Sequence, residues 1–148
     1  MDDAGSPGVG MSAKRQRHTL VYPKDQLTPE DLLNFWELPW FVDAWNELKL
    51  SDDDLSALQI SIMCNPRAAP VIAGTKGLRK LRFSPPAWRT GKSGALRICY
   101  VYFEKYGHVL LVIAYRKNEM KTISQRAKKS INVAIERIEK EMGRVFGF

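Results

Sequence analysis

At 148 residues, with 45% apolar and 26% charged side chains, the chain has the size and composition of one globular domain, which excludes wholesale disorder. Its 23 lysines and arginines against 16 acids give a formal charge of +7, so anions are the expected partners. No apolar run approaches the ~20 residues needed to span a bilayer, and the longest, 109–115, is strand-length.

Residues 1–26 read as a flexible extension ahead of one domain, 27–148. Gly, Ser, Pro and charged residues dominate it, with Lys14-Arg15-Gln16-Arg17 following, and such a composition buries too little apolar area to offset its ordering entropy. No charged-then-apolar leader is present, so a cytoplasmic protein is expected. Cys64 and Cys99 have no metal-ligand spacing and read as buried free thiols of a reducing compartment. His18 and His108 are isolated, and neither a metal site nor a cofactor is expected.

Thr28-Pro29-Glu30-Asp31 has the form of a helix start, with a capping hydroxyl, a proline in the first turn and then acids. The following Leu33–Leu38 also fits a short strand ending at Pro39, and local pattern leaves the two open. Residues 40–48 place Trp40, Phe41, Ala44, Trp45 and Leu48 at helical spacing. Ser51-Asp52-Asp53-Asp54 is a second helix start, and Leu55, Leu58, Ile60, Ile62 and Met63 carry that helix to Asn65-Pro66, where proline stops it. The two helices are expected to form an antiparallel hairpin whose aromatic stripe is core.

From there the pattern turns to strands: Leu78–Phe83, Ala95–Phe103 and Val109–Tyr115, the last two joined by a hairpin at Glu104–His108. Alternation puts Arg97, Cys99, Val101 and Phe103 on one face and Leu96, Ile98, Tyr100 and Tyr102 on the other. Gly91-Lys92-Ser93 in the intervening loop resembles the end of a Walker phosphate loop, but the first glycine is missing and no helix follows. Ser124 caps a final helix to Gly143, with Val133, Ile135, Ile138 and Met142 apolar. The order predicts an α+β domain with a small, mainly antiparallel sheet, an N-terminal helical hairpin and a C-terminal helix.

Charge divides along this order. Residues 28–64 carry eight acids and one base, a net of −7, whereas 65–148 carry 18 bases and five acids, a net of +13. Between Asn65 and Phe103 there are eight cations (Arg67, Lys76, Arg79, Lys80, Arg82, Arg89, Lys92 and Arg97) and no acid. Scattered lysines and arginines are ordinarily a solvated face. Eight without an intervening acid, on strands, repel one another unless an anion sits among them, and a phosphate backbone is the expected one.

The segments Gly74-Thr75-Lys76-Gly77-Leu78-Arg79-Lys80, Gly91-Lys92-Ser93-Gly94-Ala95-Leu96-Arg97 and Tyr115-Arg116-Lys117-Asn118-Glu119 resemble, in this order, the RelE/ParE superfamily of bacterial toxins. Within it they are most similar to the HigB-type, phage-associated branch. The likeness covers roughly 33–130, including the Ser51-Asp52-Asp53 helix, and leaves out the extension and the end of the last helix. It implies a RelE-like sheet with 34–38 as first strand, ribosome-dependent and metal-independent mRNA cleavage, and the ribosome, mRNA and a small DNA-binding antitoxin as partners, with no membrane. It also implies site residues. Lys80, Arg82, Arg97 and Lys117 would be catalytic, and Lys76, Arg79, Arg89, Lys92, Tyr115 and Asn118 would bind RNA.

Metal-free RNA cleavage needs a 2′-hydroxyl deprotonated, a charged phosphorane stabilised and the 5′-oxygen protonated. Arg82 and Arg97 suit the second task, Lys80 the first, and Lys117 the third or an orienting role. Tyr115 would stack on a base or act as an acid. The family's best-studied nuclease has a tyrosine and an arginine late in the chain where Asn118 and Ser124 stand here, so its acid–base scheme does not transfer directly. The competing expectation is a non-catalytic binder on the same fold: a gyrase poison or an inactive nucleic-acid-binding module.

Overall fold

A computed structural model of the chain describes residues 27–86, 95–120 and 122–147, together with the backbone of 14–15. In order, the elements are β1 (Lys14–Arg15), a 3₁₀ turn (Pro29–Asp31), β2 (Asn34–Glu37), α1 (Pro39–Glu47), α2 (Asp52–Cys64), β3 (Leu78–Phe83), β4 (Leu96–Phe103), β5 (His108–Arg116) and α3 (Gln125–Phe146). The strands form one sheet in the order β1-β2-β5-β4-β3. β3, β4 and β5 are antiparallel, while β2 runs parallel to β5 and β1 antiparallel to β2. Among the described residues the fold is α+β, with a mixed sheet and three α-helices.

Local chemistry sets the element ends. The Asp31 carboxylate accepts from both the backbone N–H and the hydroxyl of Thr28, but Leu33 starts an extended run and the helix signal ends after one turn. Ser51 and Asp54 form a reciprocal capping box at α2, with the Ser51 N–H donating to Asp54 at 2.9 Å and the Asp54 N–H donating to Ser51 Oγ at 3.1 Å. Ser124 caps α3 by a single bond, its Oγ accepting from the Ala127 N–H. Gly74 and Gly77, at φ of +82° and +90°, turn the chain into β3 through a conformation that a side chain disfavours.

The central strands are buried on both faces, which produces two cores. On one side Phe41 and Trp45 of α1 and Leu58 and Ile62 of α2 pack on Leu96, Ile98, Tyr100, Val109 and Leu111. On the other, Ile131, Ala134, Ile135 and Met142 of α3 pack on Cys99, Val101, Phe103, Leu110, Val112 and Tyr115. Each fully buried aliphatic side chain contributes about 1.5–3 kcal/mol, so this sandwich holds the sheet rigidly. The outer edge of β3 is covered by the segment before it: the Ile72 N–H donates to the Leu78 carbonyl and the Lys80 N–H to the Pro70 carbonyl.

Four details depart from the sequence-based expectation. Cys64 is exposed, because it ends α2 on the side turned from the sheet core; Cys99 is buried as expected. Val133 is half exposed, and Ile131 and Ala134 fill the stripe assigned to it. His108 is the buried first residue of β5 rather than part of the turn, and its Nδ1 accepts from Trp36 Nε1 at 2.6 Å. Lys14–Arg15, inside the expected flexible extension, pairs with Glu37 and Trp36 as a two-residue strand.

Candidate anion-binding site

The cations of β3 alternate between the two faces, and cross-strand register decides what each one meets. Arg82 stands directly opposite Arg97 of β4, and Arg97 directly opposite Tyr115 of β5. One row inward, Lys80 is opposite Cys99, which is opposite Ile113. Residues so paired share a face with Cβ atoms roughly 4.5–5.5 Å apart. Arg82, Arg97, Tyr115 and Lys80 therefore form one cluster on the α3 side, at the sheet end where β3 and β5 stop and β4 begins.

A β-bulge makes this row. Tyr100 pairs with Leu111 but Cys99 with Ile113, so Val112 is an extra residue in β5. Strict alternation from Leu110 would put Ala114 on the α3 face and Tyr115 on the other. The extra residue reverses the phase, and Tyr115 arrives beside Arg97.

Arg82 is exposed, Lys80 half-buried and Arg97 7% exposed. Arg97 donates to the Ala95 carbonyl at 3.1 Å, and among the described residues no carboxylate pairs with Arg97, Arg82 or Lys80. Like charges directly opposite in a sheet repel, and a buried cation without a counter-charge is costly. Tyr115 is 5% exposed, and its hydroxyl lies buried against the Cys99 thiol, too loosely for a regular hydrogen bond. Burial, with the Cys99 contact adding to it and Arg97 opposing, pushes the phenol up to about 12. Burial likewise pushes the Cys99 thiol up to about 12, partly offset by the Lys80 charge. Both groups stay protonated at neutral pH and inert as nucleophiles.

The remaining predicted residues divide. Lys117 and Asn118 are exposed in the turn that leaves β5, at the same end of the sheet; the Arg116 N–H donates to the Glu119 carboxylate at 2.8 Å and closes that turn. Lys76 is held by α3, its N–H donating to Asn132 Oδ1 and its Nζ 3.4 Å from Glu136. Arg79 is on the opposite face, its guanidinium donating to the Arg67 and Ala69 carbonyls at 3.0 and 2.7 Å. Arg67 itself pairs with Glu104. Lys76 and Arg79 are thus engaged structurally, apart from the row. The covered ring of Tyr115 offers no face for base stacking, and its enclosed hydroxyl leaves it a packing partner beneath Arg97. Arg89 and Lys92 lie outside the described residues.

An open depression of about 290 Å³ lined by Lys76, Phe103, Tyr106 and Glu139 lies toward the other end of the sheet. Among the described residues no three His, Cys, Asp or Glu side chains are grouped to hold a metal ion. No helix among them is long and apolar enough to cross a membrane. Cys99, which alternation already set on the Arg97 face, stands opposite Lys80 in the next row; the sequence did not show that pairing. No known protein-family model matches this chain.

Proposed function

We propose that this chain is a RelE/ParE-superfamily toxin of the HigB-type branch, acting as a ribosome-dependent, metal-independent mRNA endonuclease and silenced by a small DNA-binding antitoxin. The observation that carries the reading is the row Arg82–Arg97–Tyr115, with Lys80 beside it and no carboxylate paired to it among the described residues. Such a row favours a phosphate, and a phosphorane with its extra negative charge more strongly. The motifs around Lys80, Arg97 and Lys117 add the family resemblance.

In this mechanism Lys80 is the proton acceptor for the 2′-hydroxyl, and the 2′-oxygen attacks phosphorus. Arg82 and Arg97 hold the phosphorane oxygens. The bond to the 5′-oxygen breaks as Lys117, or a water that it orients, supplies a proton, leaving a cyclic phosphate and a 5′-hydroxyl. The Tyr115 hydroxyl, enclosed beside Cys99, backs the row from beneath rather than meeting the phosphate.

A non-catalytic binder on the same surface is the second reading. It draws on the burial of Arg97 and on Cys99 and Tyr115, whose acidities move to about 12, away from the range useful for proton transfer. Induced cultures of the wild type and of the Arg82→Ala/Arg97→Ala double variant separate the two. Growth arrest with new cuts in translated messages, absent from the variant, is the expected result. Arrest with intact messages would assign the gyrase-poison class, and no arrest from a folded product would leave a binding module.

A further inference from the structure

Helix α3 buries Ile131, Ala134, Ile135 and Met142 and turns its opposite side to solvent. At 3.6 residues per turn, Arg126, Lys129, Val133, Arg137, Lys140 and Arg144 fall within an arc of about 80° centred away from the sheet. All six are exposed. Five of them are cations, and no acid lies inside the arc. The helix's acids sit on its flanks: Glu136 faces Lys76, Glu141 accepts from Arg144, and Glu139 lines the depression beside Tyr106. From Arg126 to Arg144 the stripe is about 27 Å long.

We propose that this stripe is a second nucleic-acid surface, separate from the Arg82–Arg97 row, and that its ligand is the phosphate backbone of duplex RNA. A membrane would need an apolar face beside the cations, and the apolar face of α3 is buried in the core. A folded protein partner would need an apolar centre, and the stripe offers Val133 alone. A straight line of cations without an apolar anchor matches instead a rigid polyanion read through its backbone charge. The choice of RNA over DNA rests on the functional reading above, whereas the affinity of the stripe for duplex phosphate stands without it.

The test uses the full chain and a fluorescein-labelled RNA hairpin with a stem of about 16 base pairs, titrated at several salt concentrations. The Arg126→Ala/Lys129→Ala/Lys140→Ala variant is expected to bind about tenfold or more weakly, with the slope of log affinity against log salt reduced by about 2–3. Alanine is the best helix former, and the corresponding glutamine variant repeats the measurement with longer side chains. Arg82→Ala/Arg97→Ala is expected to retain the stripe-dependent part of the binding. Unchanged affinity and slope in both triple variants would overturn the proposal. So would stripe-dependent binding of polyglutamate as tight as that of the hairpin, or tighter stripe-dependent binding of a DNA hairpin of the same stem. Cleavage is not read in this assay, so failure of the nuclease reading would leave the result standing.

Discussion

Arg79 and Arg82 stand on one strand with identical side chains, yet their surroundings are opposite. Arg79 faces the α1–α2 side and donates to the Arg67 and Ala69 carbonyls, tying the chain before β3 to the sheet. Arg82 faces the α3 side, where its cross-strand neighbour is another arginine. One cation is part of the scaffold, and the other belongs to a charge cluster that raises the free energy of the folded chain. A run of basic residues on a strand is therefore two sets, and only the set without partners is available to a ligand.

The sharpest way to break this comparison is Arg97→Met, which keeps the stem and removes the charge. Loss of one preorganised donor is expected to lower mRNA cleavage about 10²–10³-fold, measured as cut ends per message. In the same variant, stability is expected to rise by about 1 kcal/mol in urea unfolding, because an unpaired buried charge is removed. A fall in stability with activity intact would place Arg97 in the scaffold alongside Arg79.

Arg79→Met is the converse. Losing two charge-assisted hydrogen bonds is expected to destabilise the chain by about 2 kcal/mol, with cleavage per folded molecule retained. Next in size, Tyr115→Phe removes a buried hydroxyl without a regular partner, so a gain of up to about 1 kcal/mol is expected in the same unfolding measurement. Cleavage per folded molecule is expected to be retained in that variant, because the hydroxyl is enclosed.

The smallest effect is in pH. The folded chain favours the protonated Cys99 thiol and Tyr115 phenol, both raised to about 12 from ordinary values of 9.0 and 10.0. Above those ordinary values the unfolded chain binds fewer protons than the folded one, so stability falls as pH rises. The stabilisation is complete below pH 9.0 and is lost progressively toward about 12. Urea midpoints should therefore drop between about pH 9 and about pH 12, and less steeply in Tyr115→Phe or Cys99→Ala. An equal drop in all three proteins would place the alkaline sensitivity elsewhere.

Much of the fold was legible because its signals are local. The Ser51–Asp54 box, Pro66 after α2, the Ser124 cap and Gly107 in the β4–β5 turn each act within a few residues, and the structure places element ends at or near them. The Thr28 motif misled in length only: its caps form, but a helix also needs an apolar face to bury, and Asn34 begins a strand beside β5 instead. The stripe of α3 is local as well, written at helical spacing in Arg126, Lys129, Arg137, Lys140 and Arg144.

Composition and periodicity alone determined that this is an α+β chain with a basic C-terminal half, because charge and apolar spacing are properties of neighbours in sequence. Which cations stand together was decided by tertiary structure. Register set Arg82 against Arg97, partner carbonyls engaged Arg79, and the docking of α3 engaged Lys76. The Val112 bulge carried Tyr115 onto the same face, against the alternation written in β5. Each of these depends on pairing between distant segments, and a one-residue shift in pairing reverses every side chain beyond it.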